Sequence, residues 1–75
     1  MNNTRKKNVG NIIKKLRKQM GYTQEQLALQ CGTVYQRIGE FERGATLPNT
    51  EMVIKLSIAL GCTTDYLLKG VNLDV

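Results

Sequence analysis

The chain has 75 residues, a net charge of +5, two cysteines and no histidine. Its length predicts one small domain, and because it lacks histidine, paired carboxylates, a glycine-rich phosphate loop and a CxxC pair, we expect no enzyme activity, no metal site and no cofactor. It also lacks an apolar run of about 18 residues and the apolar segment of a signal peptide, which favours a cytoplasmic protein outside the membrane.

The positive charge lies mainly in the first third of the chain. Residues 1–24 carry seven basic residues and no acidic one, whereas the remainder carries four basic and six acidic residues. A clustered basic region is typical of proteins that bind polyanions. A solvated helix face with a basic tail is the plainer explanation, and attraction to an anionic membrane surface is a third.

The first predicted element is a helix from about Val9 to Met20. Residues 1–8 read as a flexible basic arm, and Asn8 is a candidate cap for the helix that follows. An apolar stripe at helical spacing would face the core, formed by Val9, Ile12, Ile13, Leu16 and Met20. Lys14 and Lys18 lie off this stripe and can reach phosphates.

Residues 23–44 predict two short helices joined by a tight turn. Thr23 and Gln26 fit a capping box at the start of the first helix, and Gly32 is suited to end it. A second apolar stripe begins almost at once with Val34, Ile38 and Phe41. Two short helices around a turn that contains glycine form a helix-turn-helix.

The outer face of the second helix would carry Tyr35, Gln36, Gly39 and Glu40. In helix-turn-helix proteins that read DNA, the N-terminal part of the second helix enters the major groove. Gln36 could then bind an adenine edge, Glu40 a cytosine amino group, and Tyr35 a thymine methyl or a phosphate. The alternative is an ordinary solvated helix face.

Two further helices complete the predicted fold. Asn49 or Thr50 would cap the fourth helix and Thr63 or Thr64 a short fifth one. Core residues of the fourth helix would be Met52, Val53, Leu56, Ala59 and Leu60. Cys31 and Cys62 lie near helix ends as buried free thiols, for which a disulfide is possible but unnecessary.

Three segments carry a family resemblance: IIKKLRKQMGYTQEQLA, CGTVYQRIGEFERG and LPNTEMVIKLSIALGCTTDYLL. Together they resemble the Cro and phage-repressor (XRE) type of helix-turn-helix domain over about residues 9–68. The resemblance implies an all-α, compact five-helix bundle of the lambda-repressor-like class. We therefore expect an arm over residues 1–8, a DNA-binding domain over residues 9–69 and a short tail over residues 70–75.

The resemblance also implies residue roles. Arg17 and Glu42 would form a structural ion pair between the first and third helices. Contacts to the DNA backbone are expected from Thr23, Gln24, Val34, Arg43, Lys14 and Lys18. Dimer contacts are expected near the last helix, with Tyr66, Leu67, Ile54, Ile58 and Val71 as candidates. The alternative is that Leu67 and Leu68 complete the core and the tail is disordered.

Some residues depart from the family pattern. Val34 stands where the family usually places a Ser or Thr cap, so Thr33 is the candidate cap instead. Gly39 replaces a polar side chain on the reading face. Glu40 is acidic on a surface that should face DNA, and Arg37 could either pair with it or contact DNA.

The sequence therefore predicts a sequence-specific regulator of transcription, a repressor that binds a pseudo-palindromic DNA operator as a homodimer in a bacterial or phage-infected cell. We expect no small-molecule ligand. Two alternatives remain open. One is a protein-interaction module such as an antitoxin or anti-repressor-like regulator, and the other is a non-specific nucleoid or RNA binder that relies on the basic arm.

Overall fold

The computed structural model describes residues 2–69, which form five α-helices and no strand. The helices are α1 (Asn2–Gln19), α2 (Gln24–Gln30), α3 (Tyr35–Arg43), α4 (Thr50–Leu60) and α5 (Thr64–Leu67). None of these helices is both long enough and apolar enough to cross a bilayer. The all-α, five-helix architecture agrees with the predicted fold class.

The first helix starts earlier than predicted. It begins at Asn2 rather than near Val9, so Asn8 lies within the helix and does not cap it. Residues 2–8, which we expected to form an arm, therefore belong to α1. Tertiary packing explains the difference, because the backbone of Lys7 lies against the end of α3 at Gly44.

Gly10 allows α1 and α3 to cross with their backbones in contact. A Cβ at this position would overlap the carbonyl oxygen of Phe41 and lie 2.9 Å from that of Glu42. Both obstacles are backbone atoms of a buried helix, which cannot move aside as a flexible side chain could. By helix propensity alone, Gly10 would destabilise α1. Its role in the structure is to bring the two helices together.

The core forms where all five helices meet. Its buried apolar residues are Val9, Ile13, Leu27, Ala28, Cys31, Ile38, Phe41, Val53, Leu56, Leu60 and Leu67. Ile12 and Leu16 are partly buried against this cluster, as their place in the predicted stripe requires. Met20 is 49% exposed, so its assignment to the core was wrong. It follows the last residue of α1, where the chain turns toward α2.

Side-chain caps start three of the helices. Thr23 and Gln26 form both hydrogen bonds of the predicted capping box, at 3.0 and 2.8 Å. Asn49 accepts a hydrogen bond from the amide of Met52 at the start of α4, and Thr63 accepts one from the amide of Tyr66 at the start of α5. These local interactions fix where α2, α4 and α5 begin.

Both cysteines are free thiols, Cys31 buried and Cys62 half-buried. Burial raises the pKa of Cys31 above its ordinary value of 9.0, and nearby Lys55 offsets only part of that effect. Burial also raises the pKa of Cys62. The folded state favours the neutral form of each thiol, because each folded-state pKa lies above the unfolded value. The stabilisation that comes from burying the neutral thiols is therefore complete below pH 9.0 and is lost as the pH rises through the folded-state pKa. Within residues 2–69, no three Cys, Asp or Glu side chains group as metal ligands.

We predict that Gly10→Ala destabilises the fold although alanine favours helix formation. The added methyl group must push α1 away from α3, which we expect to lower the free energy of unfolding by about 1–3 kcal/mol. Urea denaturation followed by circular dichroism measures this change. Asn11→Ala is the matched control, since Asn11 is exposed on the same helix and the change should be neutral or slightly stabilising. If Gly10→Ala proved as stable as the control, the backbone contact would not require glycine.

Candidate nucleic-acid interface

Four residues, 31–34, connect α2 to α3. The turn is closed by a hydrogen bond of 2.9 Å from the amide of Thr33 to the carbonyl of Ala28. Val34 occupies the N-cap position of α3 in an extended conformation and is 57% exposed, so its place in the predicted apolar stripe was wrong because it precedes the helix. No side chain caps α3. The prediction that Thr33 would serve as the cap was therefore wrong. The first amides of α3 receive no side-chain acceptor, which distinguishes α3 from α2, α4 and α5.

Arg17 and Glu42 form the predicted contact between α1 and α3. Nε of Arg17 donates to Oε2 of Glu42 at 2.6 Å, and Nη2 donates to Oε1 at 3.2 Å. Nη1 donates to the carbonyl of Tyr22 at 2.8 Å. Both residues of the pair are only 9% exposed. The guanidinium group therefore joins α1, the segment that leads into α2, and the end of α3.

Gln24 extends this network to the start of α2. Its Nε2 donates to Oε1 of Glu42 at 3.0 Å. A side-chain amide has two N–H donors, so the second remains available to another acceptor. Gln24 is half-buried, and the hydrogen bond to Glu42 holds its amide beside α3. The contact between Gln24 and a DNA phosphate remains a prediction.

The outer face of α3 differs from the expected one at a single position. Tyr35 and Gln36 are exposed and Glu40 is half-buried, which agrees with their assignment to this face. Gly39 is buried, contrary to the expectation that it lies open on the reading face. A Cβ at Gly39 would lie 3.0 Å from Nη1 of Arg43, so the Arg43 side chain covers this position.

Arg37 is exposed on the same helix but does not pair with Glu40. Its guanidinium carbon lies 5.6 Å from the centroid of the Phe41 ring, within the range of a cation–π interaction. The described residues contain no ion pair between Arg37 and Glu40. The predicted pairing is therefore absent, and the Arg37 side chain lies along α3 over Phe41.

Basic side chains on α1 border the helix-turn-helix. Lys14 and Lys18 are exposed. Lys14 follows Gly10 by four residues, one helical turn, so it lies on the side of α1 that crosses α3. Lys18 continues the same line by another turn. Thr23 and Arg43, at opposite ends of the motif, are also exposed.

The expected dimer contacts divide into exposed and buried residues. Ile54, Ile58 and Tyr66 are 47%, 77% and 39% exposed, so they are accessible to a second chain. Leu67 is fully buried in the core, and its assignment to a dimer contact was wrong because it packs within its own chain. Val71 lies outside the described residues.

One exposed apolar group was absent from the sequence-based predictions. Leu29, Val34 and Tyr35 border an open depression of about 520 Å³ at the turn between α2 and α3. The sequence held a signal for Leu29, which follows the buried Leu27 by two residues and so lies about 200° around the helix from it.

The chain is similar to known regulators in sequence. The helix-turn-helix family model matches residues 13–67. The chain is 40% identical, over 63 residues and 84% of its length, to the SPbeta prophage-derived uncharacterized HTH-type transcriptional regulator YonR of Bacillus subtilis. It is also 40% identical, over 83% of its length, to repressor protein C2 of Salmonella phage P22. The matched region spans 58% of the first relative and 29% of the second.

Solved structures show the same fold. The P22 c2 repressor, crystallised with the synthetic operator 9T in the presence of Tl⁺, matches with a TM-score of 0.80 at 40% identity, covering 83% of this chain and 94% of that one. The clp gene regulator ClgR of C. glutamicum also has a TM-score of 0.80, over 95% of this chain and 92% of that one. At 21% identity, the second match is a similarity of fold alone.

We predict that Arg17→Met destabilises the protein by about 3–5 kcal/mol, because it leaves the buried Glu42 carboxylate without its cationic partner. Urea denaturation measures the change. Lys55→Met is the matched control, since it removes an exposed ion pair with Glu51 in which the charged atoms are 3.4 Å apart, and such pairs contribute only about 0.3–0.5 kcal/mol. Equal effects of the two substitutions would contradict a structural role for the buried pair.

Proposed function

The chain belongs to the helix-turn-helix family, of the Cro and phage-repressor type, and we propose that it is a sequence-specific DNA-binding regulator of transcription that acts as a repressor. The observation that carries this proposal is the exposed outer face of α3 on a helix whose far side is anchored in the core. The 40% identity to a repressor crystallised on an operator supports the same function. We place its action in the cytoplasm of a bacterial cell, where chromosomal and phage DNA are found.

The N-terminal half of α3 would read base edges in the major groove. Gln36 is exposed and can bind the N6 and N7 atoms of adenine with its amide. Tyr35 is exposed beside it and presents an aromatic edge to a thymine methyl group. Glu40, one turn after Gln36, can accept a hydrogen bond from the amino group of cytosine and would repel a phosphate. Arg37 can also reach the groove if its guanidinium leaves the Phe41 ring.

Residues around α3 would hold the DNA backbone. Gln24 begins α2 with one free amide hydrogen, and the hydroxyl of Thr23 can donate to a phosphate next to it. The exposed start of α3 at Val34 offers main-chain amides to a second phosphate. Lys14 and Lys18 add positive charge along the adjacent side of α1. These contacts would provide much of the affinity and make binding dependent on salt concentration.

We further propose that the protein binds a pseudo-palindromic operator as a homodimer. One 75-residue chain has a small interface with DNA, and tight specific binding by helix-turn-helix domains requires two half-sites. Ile54, Ile58 and Tyr66 are the exposed apolar residues available for the contact between chains. Of these three residues, Ile54 also lines a groove of about 330 Å³ between α4 and α5.

A second function has some support from the same apolar surface. Ile58 is 77% exposed in the last turn of α4, and exposed apolar side chains of this kind are found where proteins bind other proteins. The chain could then be an interaction module such as an antitoxin or anti-repressor-like regulator. Substitutions on α1 and α3 would leave such an interface intact, whereas DNA binding would depend on them.

We predict that the purified protein enriches an inverted repeat from a pool of randomised duplex DNA near physiological salt. Gln36→Ala should abolish the preference at one base pair of each half-site, a loss of about 1–3 kcal/mol of discrimination, because the amide that reads the base is removed. Sequencing of the selected pools measures the preference directly. An unchanged motif in this variant would contradict base reading by Gln36.

Gln19→Ala provides the control for that selection. Gln19 is exposed and follows Gly10 by nine residues, which places it half a turn away from the side of α1 that crosses α3. Its motif should match that of the unmodified protein. DNA retained without any enriched sequence would instead favour a non-specific binder.

We also predict that Lys14→Glu abolishes DNA binding at physiological salt without unfolding the protein, since Lys14 is exposed and its contact with a phosphate would become repulsive. Lys14→Ala should weaken binding to all sequences alike and reduce the slope of log K against log salt by about 1. Fluorescence anisotropy over a range of salt concentrations measures both effects. Unaltered DNA binding by Lys14→Glu would show that Lys14 does not contact the DNA backbone.

A further inference from the structure

Gly39 creates a space on α3 that the side chain of Arg43 fills. A Cβ built at Gly39 would lie 3.0 Å from Nη1 of Arg43 and 3.8 Å from both polar atoms of the Gln24 amide. The guanidinium of Arg43 therefore lies where the side chain of residue 39 would otherwise project. Its neighbour on the α2 side is the Gln24 amide.

Helix geometry explains this placement. Side chains in an α-helix lean toward the N-terminus, so a long side chain covers the residue four positions earlier. Arg43 is the last residue of α3, and Gly39 is that earlier residue. The charged group is thus carried back along the helix by about 6 Å, one rise of 1.5 Å for each of four residues. It lies at the level of Gly39, next to Glu40 in the chain.

Among the described residues, Arg43 has no interaction partner, whereas Arg17 and Arg37 each have one. Arg17 uses its donors on Glu42 and Tyr22, and Arg37 lies over the Phe41 ring. Arg43 is exposed, and the part of the chain that the structure describes contains no hydrogen bond or ion pair to it. Its neighbour Glu42 is already engaged by Arg17 and Gln24.

We propose that Arg43 reads a guanine in the major groove, taking the place on the reading face that Gly39 leaves empty. This inference rests on the proposed DNA-binding function and changes the expected role of Arg43 from a backbone contact to a base contact. A guanidinium group presents paired donors that match O6 and N7 of guanine, the commonest specific contact between a side chain and a base. Gly39 acts as the positioning residue, because any side chain there would compete with Arg43 for the same space.

The test compares the unmodified protein with Arg43→Met and Gly39→Ala. Arg43→Met keeps much of the aliphatic stem and removes the donors. Gly39→Ala adds a methyl group at 3.0 Å from a mobile side-chain end, so the fold should persist while the guanidinium is displaced. Circular dichroism and thermal melting verify that both variants are folded.

Binding is measured on the selected operator and on its single-base-pair substitutions. For the unmodified protein, we expect one G·C pair in each half-site whose replacement weakens binding by about 5- to 150-fold, the range of a bidentate contact. Arg43→Met should lose this discrimination at that base pair and keep it elsewhere. Gly39→Ala should reduce discrimination at the same base pair, because Arg43 no longer lies over residue 39.

Other results would overturn the inference in distinguishable ways. If Arg43→Met weakened binding to every duplex by one common factor, as we expect for Lys14→Ala, Arg43 would contact a phosphate and only this inference would fail. If Gly39→Ala left the discrimination at that G·C pair intact while Arg43→Met removed it, Gly39 would have no positioning role. If the unmodified protein enriched no sequence at all, the proposed function would fail together with the inference.

Discussion

The buried Arg17–Glu42 pair determines how the first three helices are arranged. Burying two charges is unfavourable unless their hydrogen-bonding groups are satisfied. Here Arg17 bonds to both oxygens of Glu42 and to the carbonyl of Tyr22, while Gln24 adds a further donor. No buried side-chain nitrogen or oxygen among residues 4–69 lacks a partner. A shift of α1, α2 or α3 relative to the others would break at least one of these hydrogen bonds, so the network favours the observed orientation.

The two ends of α3 are held very differently as a result. Its C-terminal half is fixed by Phe41 in the core and by Glu42 in the ion pair. Its N-terminal end begins at Val34 without a side-chain cap and next to exposed apolar groups. The C-terminal half therefore carries most of the packing, while Val34, Tyr35 and Gln36 at the other end are exposed. This division allows the exposed side chains at the start of α3 to differ without changing the core that supports them.

Local patterns predicted the elements that local interactions stabilise. The capping box at Thr23 and the cap at Asn49 fixed helix starts that were read directly from the sequence. The start of α1 could not be read in this way, because residues 2–8 have no apolar periodicity and are helical where Lys7 packs against the end of α3. The sequence left open whether Leu67 is buried or forms a dimer contact, since a four-residue helix gives no periodicity. Gly39 is covered by the side chain of Arg43, and the direction of that side chain could not be predicted from residue spacing.

The contact at Gly10 and the ion pair at Arg17 both attach α1 to α3, so the number of residues between them is constrained. Seven residues separate them, nearly two full turns, so both point toward α3 from positions about 10 Å apart along the helix. One residue inserted between them would rotate one contact by about 100° relative to the other. No roll or slide of α1 could then restore both. The spacing of these two residues along α1 therefore fixes the position of α3. An insertion between them would displace α3, while α1 itself would remain helical.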